Sequence, residues 1–154
     1  MKFEFLKENF KNQNYWITHA NSTANILFAF NGVFIFLVAK EIVDKICRPT
    51  YFQMFLIAAF FIAAVLSIFA LILVIFPRLG EKTSSLLYFG GICNQKENEF
   101  KDRIKNINDN QILEMLSNQI YQNAKIANQK FIHVREAVIL TSLNFLVAIV
   151  LIFF

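Results

Sequence analysis

No charged residue stands between positions 54 and 76, none between Lys11 and Lys40, and none from position 137 to the end at Phe154. Segments so empty of charge do not make the wet face of a soluble fold. At about 1.5 Å per helical residue, the 23 residues of the middle segment reach about 35 Å, enough for a hydrocarbon core of about 30 Å with some tilt. Glycine is also scarce, at 4 residues, against 56% hydrophobic residues and 19 Phe, and mean hydropathy is +0.48. That balance leaves little material for a soluble core. There are only two cysteines, Cys47 and Cys93, too few for metal-ligand spacing. Nor is there a basic stripe with interleaved aromatics: acidic Glu97, Glu99, Asp102 and Asp109 are mixed through the cationic segments, and the net charge of +4 does not imply nucleic acid.

What is present reads as an all-α membrane protein of three transmembrane helices, at about 20–39, 54–76 and 137–154, with the whole of 1–154 as a single membrane unit and a cytoplasmic segment at about 77–136. The first span carries Asn21, Ser22, Thr23, Asn25 and Asn31. It begins too late for a secretory signal peptide and has no small-residue cleavage site after it, so it reads as a retained anchor. Pro77 and Arg78 end the second span with a helix breaker and a cation. Lys7, Lys11, Arg78, Lys82, Lys96, Lys125, Lys130 and Arg135 flank one side of the spans, and Lys40, Lys45 and Arg48 the other, which predicts a cytoplasmic N-terminus. On that topology Cys47 and Cys93 lie on opposite sides and form no disulfide with each other.

The cytoplasmic segment has two parts. The apolar patch Leu86, Leu87, Tyr88 and Phe89, bounded by Gly80, Gly90 and Gly91, predicts a short helix or turn on the membrane surface. The cap-rich run 106–110 then opens a helix whose seam passes through Leu113, Leu116, Ile120, Ala127, Phe131, Val134 and Val138. No Pro or Gly interrupts it, so this amphipathic extension is expected to be continuous with the third span. Its stripe needs a partner: the N-terminal helix, the loop after the second span, or another copy.

Catalytic chemistry finds few candidates. Residues 80–84 lack the upstream glycine of a phosphate-binding loop, and Glu81 splits the Gly-Lys pair. His19 and His133 read as interfacial histidines, with a pH-sensing pair as the alternative. No nucleophile, acid–base pair or metal set stands out, so the protein is expected not to be an enzyme and to need no cofactor. Polar residues inside the spans are more informative, because an unpaired amide in hydrocarbon costs several kcal/mol. Asn31 and Asn144 fall at similar depth in parallel helices and are expected to pair with each other within a protomer or between protomers, or else to bond their own backbones. In the second span, Ala59, Ala63, Ser67 and Ala70 form a small-residue stripe suited to close helix packing or to a homo-oligomer.

Several segments resemble the Pycsar effector membrane proteins. Residues 16–27, Trp16 through Ala20, Asn21, Thr23 and Ala24 to Leu27, are similar to that family's opening A-D-x-K-A-x-x-L pattern, and Asn31 with Gly32 continues the likeness. Pro77-Arg78, the stretch 85–90, and Gln119-Ile120 through Ala127 to Lys130-Phe131 follow in the family's order, so the resemblance covers nearly the whole chain. Asn21 and Thr23 stand where the pattern has Asp and Lys, which puts any ion pair at those positions in question. The resemblance implies an antiphage effector of the bacterial inner membrane. It would sense cyclic CMP or cyclic UMP from a partner pyrimidine nucleotide cyclase and impair the membrane, causing abortive infection. A cyclic mononucleotide needs a cation for its phosphate, an apolar or aromatic face, and amides for its base edge. Arg78, Tyr88, Phe89, Gly90, Gln119, Asn123 and Lys130 supply those types, with Arg78 or Lys130 on the phosphate. The competing expectation is a passive membrane scaffold that docks a cytoplasmic partner and binds no nucleotide.

Overall fold

The computed structural model describes residues 1–45, 49–76, 86–87 and 89–153, with the backbone alone at Lys45 and Phe89. Among these residues the regular elements are all helices: α1 (Lys2–Lys45), α2 (Tyr51–Ile75), α3 (Phe89–Cys93), α4 (Glu97–Asn106) and α5 (Asp109–Phe153). Three of them, α1, α2 and α5, are long and apolar enough to cross a membrane. The expected spans at 20–39, 54–76 and 137–154 correspond to α1, α2 and α5, with Phe76 as the C-cap of α2 and residue 154 outside the described residues. The extension before the third span is indeed one helix with it.

The starts of α2 and α5 are set locally. Thr50 accepts from the Gln53 N–H through its hydroxyl while the Gln53 side chain takes the Thr50 N–H, a reciprocal cap at the head of α2. Asn108 and Gln111 repeat the arrangement at the head of α5, with bonds of 3.1 and 2.9 Å. Helix α4 was not foreseen. Its signal was present: Glu97 and Glu99 in the first turn and Arg103 and Lys105 in the last complement the helix dipole.

The chain gathers into two compact units, and α1 and α5 contribute to both. The span unit comprises Ala20–Phe76 and Lys130–Phe154. Its core is two apolar clusters: Ala20, Ala24, Ala70, Leu71, Val74, Val134 and Ala137 in one, and Val38, Phe60, Ala148 and Leu151 in the other. Its outer faces carry exposed Ile26, Phe30, Val33, Phe61, Ile62 and Leu146. Large apolar side chains left outward on every helix belong against lipid rather than water.

The buried seams recur every three or four residues. On α5 they are Leu116, Asn123, Ala127, Lys130, Val134, Ala137, Thr141, Asn144, Ala148 and Leu151, a seven-residue repeat held over five heptads. On α1 the buried positions Ala24, Asn31 and Val38 keep the same spacing. This phase corrects two expectations. The α5 seam continues from Val134 to Ala137 and Thr141, leaving Val138 exposed. On α2 the buried line runs Phe60, Ala64, Ser67, Ala70 and Leu71, with Ala59 and Ala63 only half-buried. On α2 the reason is that the consecutive steps of four from 59 to 67 drift off a seam that repeats every 3.5 residues; on α5 the expected line through Phe131 and Val138 runs one residue past the buried Lys130 and Ala137.

The second unit comprises Met1–His19 and Pro77–Gln129. It buries Leu116, Asn123 and Ala127 from α5. It is tied by side-chain amides as much as by apolar packing. Of the patch at 86–89, Leu86 and Leu87 lie outside the helices and Phe89 begins the five-residue α3.

Candidate functional site

Within the span unit the polar groups lie in layers. Asn31 is fully buried; its amide nitrogen is 3.0 Å from Thr141 Oγ1 and 3.4 Å from Ser67 Oγ, and its carbonyl oxygen lies 3.1 Å from Thr141 Oγ1. The two hydroxyls are 3.0 Å apart, and Ser67 donates to the Ala137 carbonyl at 3.3 Å. One residue from each long helix therefore meets in a single polar layer inside hydrocarbon. Asn144 belongs to a different layer. Oriented with its nitrogen toward Phe60, its amide donates to the Phe60 carbonyl and accepts from the Ala64 N–H, both at 3.0 Å. Asn31 and Asn144 are thus not partners of each other, nor does either bond its own backbone. The helix register sets Thr141, one turn earlier, opposite Asn31.

Lys130 makes the third layer. It is 3% exposed, and its ammonium donates to Asn21 Oδ1 at 2.7 Å and to the Val74 carbonyl. Val74 is the penultimate residue of α2, so its carbonyl is one that helix geometry leaves without an intrahelical partner. Lys130 closes that helix end as a cationic cap. The ammonium named as a phosphate ligand is therefore engaged in tying three helices together. Asn21, where the family pattern has Asp, is one of its anchors.

In the other unit, Gln119 Nε2 donates to Asn123 Oδ1 at 3.0 Å, and Asn123 Nδ2 donates to Asn14 Oδ1 at 2.8 Å. This amide relay links α5 to the first turns of α1. It ends at a cavity of about 690 Å³ walled by α4 and the start of α5. Arg103 and Glu114 bring the charge to its wall; Gln111, Asn118 and Gln119 bring amides; Leu86 and Met115 bring apolar surface. The Arg103 guanidinium is held by Gln95, whose Oε1 accepts from Nη1 at 2.8 Å while its Nε2 donates to the Gly91 carbonyl at 2.6 Å. A second hollow, of about 420 Å³ in the span unit, is lined by Leu66, Phe69, Leu73 and Leu140, with His133 and Glu136 as its polar members.

The structure thus brings Gln119 and Asn123 together and places Lys130 in the span unit. Gly90 lies in α3, as does the backbone of Phe89, whereas Arg78 and Tyr88 lie outside the described residues. Arg103 and Glu114 were missed because each looks like one of many exposed helical charges until α4 and α5 are set side by side. The histidines have partners on their own helices: His19 lies about 6 Å, centroid to centroid, from Tyr15 and Trp16, and His133 Nδ1 is 2.9 Å from Glu136. Among the described residues no three His, Cys, Asp or Glu side chains gather as a metal-binding group.

Three long apolar helices with polar layers buried between them define a multi-span helical membrane protein. More particularly, the Pycsar effector protein domain matches residues 5–154, and the chain belongs to that family of antiphage defence effectors. No curated protein and no solved structure matches it.

Proposed function

We propose that the protein is an inner-membrane effector that senses cyclic CMP or cyclic UMP, made by a partner cyclase on infection, and then impairs the membrane so that the infected cell is lost before phage mature. The match over residues 5–154 carries this reading, because it takes in both the span unit and the unit with the polar cavity. The N-terminus is cytoplasmic, the nucleotide is met there, and the protein acts by rearrangement rather than by catalysis.

In the arrangement described, Ser67 and Ala70 are consumed inside the protomer, so the small-residue stripe of α2 becomes available to another copy only if the helices repack. Interhelical polar contacts in lipid are worth about 1 kcal/mol each. Complete conversion of a two-state population needs about 5.5 kcal/mol of differential binding. The few contacts of the Asn31 layer are of the size a ligand can outweigh, provided it binds the repacked state more tightly. Ala59 and Ala63, half-buried at the edge of the packed face, are the first part of the stripe to meet a second copy in the homo-oligomer that this mechanism requires.

A voltage-sensitive dye tests the reading. Cells carrying the protein with an active pyrimidine cyclase should depolarise, and cells carrying it with an inactive cyclase should not. Equal membrane potential in the two cultures, at equal expression, overturns it in favour of a passive scaffold.

A further inference from the structure

We infer that the cavity walled by α4 and the first turns of α5 is where the cyclic pyrimidine nucleotide is held, with Arg103 on the phosphate and Glu114 reading the base; this rests on the function proposed above. Three observations converge on it. At about 690 Å³ the cavity falls within the range of small-molecule sites, about 300–1,000 Å³. Among the described residues its wall carries the Arg103 guanidinium to meet a phosphate, the Glu114 carboxylate and several amides to meet a base edge, and the apolar side chains of Leu86, Ile107 and Met115 to meet a base face. Among the described residues the hollow of the span unit has His133 and Glu136 but no amide or guanidinium, and suits an acyl chain instead.

The guanidinium is also built in rather than trailing in solvent. Gln95 bonds Arg103 with its oxygen and the Gly91 carbonyl with its nitrogen, so the link between α3 and α4 aims Arg103. Guanidinium and phosphate match as a bidentate, charge-assisted pair. Glu114 decides between bases. Cytosine offers its exocyclic N4 amine as a donor, which a carboxylate accepts, whereas uracil offers a carbonyl oxygen at the same position. A carboxylate there favours cyclic CMP over cyclic UMP. Gln119 donates to Asn123, whose own amide fastens α5 to Asn14 of α1, so a ligand that takes up the Gln119 amide removes one partner of the side chain that makes that link.

Titration calorimetry on the full-length protein in nanodiscs, against cyclic CMP, cyclic UMP and cyclic AMP, tests the assignment. The wild type should bind cyclic CMP most tightly. Arg103→Gln should weaken both pyrimidine nucleotides by about tenfold or more, Arg103→Lys by less, and Glu114→Gln should narrow the preference for cyclic CMP over cyclic UMP. Lys101→Ala, which removes an exposed cation paired with Glu97 on the same helix, should change nothing. A photoactivatable cyclic pyrimidine nucleotide should mark peptides from α4 and the start of α5, a result that does not depend on any variant folding. Undiminished binding by Arg103→Gln, loss on Arg78→Ala alone, or marking confined to other segments overturns this site while leaving the proposed function standing. A wild-type protein that binds none of the three nucleotides overturns both.

Discussion

Lys130 is an expensive residue to place where it is. A buried ammonium in or near hydrocarbon is tolerated only when oxygen atoms replace its water, and here Asn21 and the Val74 carbonyl do so. The return is that one side chain fastens α1, closes the end of α2 and anchors α5. Lys130→Met should lower the melting temperature in detergent, by the equivalent of about 1–3 kcal/mol, because the Val74 carbonyl loses a partner that lipid cannot replace. Asn21→Asp should raise it, since a carboxylate there turns an ion–dipole bond into an ion pair and neutralises the buried ammonium. Differential scanning fluorimetry on the purified variants reads both, and a stabilised Lys130→Met protein would contradict the clasp.

At the scale of the element, the phase of α2 is the decisive property. Ala64 lies buried in the packed face and its neighbour Ala63 only half so, although the two have the same size and depth in the sequence. Ala64→Leu should therefore cost about 1–3 kcal/mol through overpacking, whereas Ala63→Leu should leave the melting temperature almost unchanged. If the costs were reversed, the helix would be rotated by a residue. The Asn31, Ser67 and Thr141 layer serves the same end. A polar residue at a seam position fixes register at some cost in stability, because any axial slip leaves an amide unpaired in lipid.

For the molecule as a whole, the notable property is that two compact units share two helices. Asn123, Lys130 and Ala137 follow one another at intervals of seven along α5, the first in one unit and the other two in the second. Under the function proposed above, α5, which contributes to both units, is the element expected to carry the signal. A single alanine inserted after Gln129 turns the downstream seam by about 100° relative to the upstream one. Nucleotide binding should survive that insertion and depolarisation should not. Full depolarisation by the insertion protein would show that α5 does not carry the signal.

The three spans, the capped start of α5 and the continuity of its extension were legible in the sequence, because charge-free runs, cap residues and the absence of Pro or Gly act locally and at short range. The family was legible too, through ordered motifs along nearly the whole chain. Partners were not. Asn31 and Asn144 could be ranked by depth, but which neighbour each meets depends on the relative rotation and register of three helices, and no single helix encodes that. The same holds for the cavity: Arg103 and Glu114 are 11 positions apart among many similar charges, and only the folding of α4 against α5 makes them two walls of one space. Hydrophobic runs and helix signals are properties of one segment, whereas a polar layer or a cavity exists only between segments, so the sequence determined the elements and the tertiary structure decided their partners.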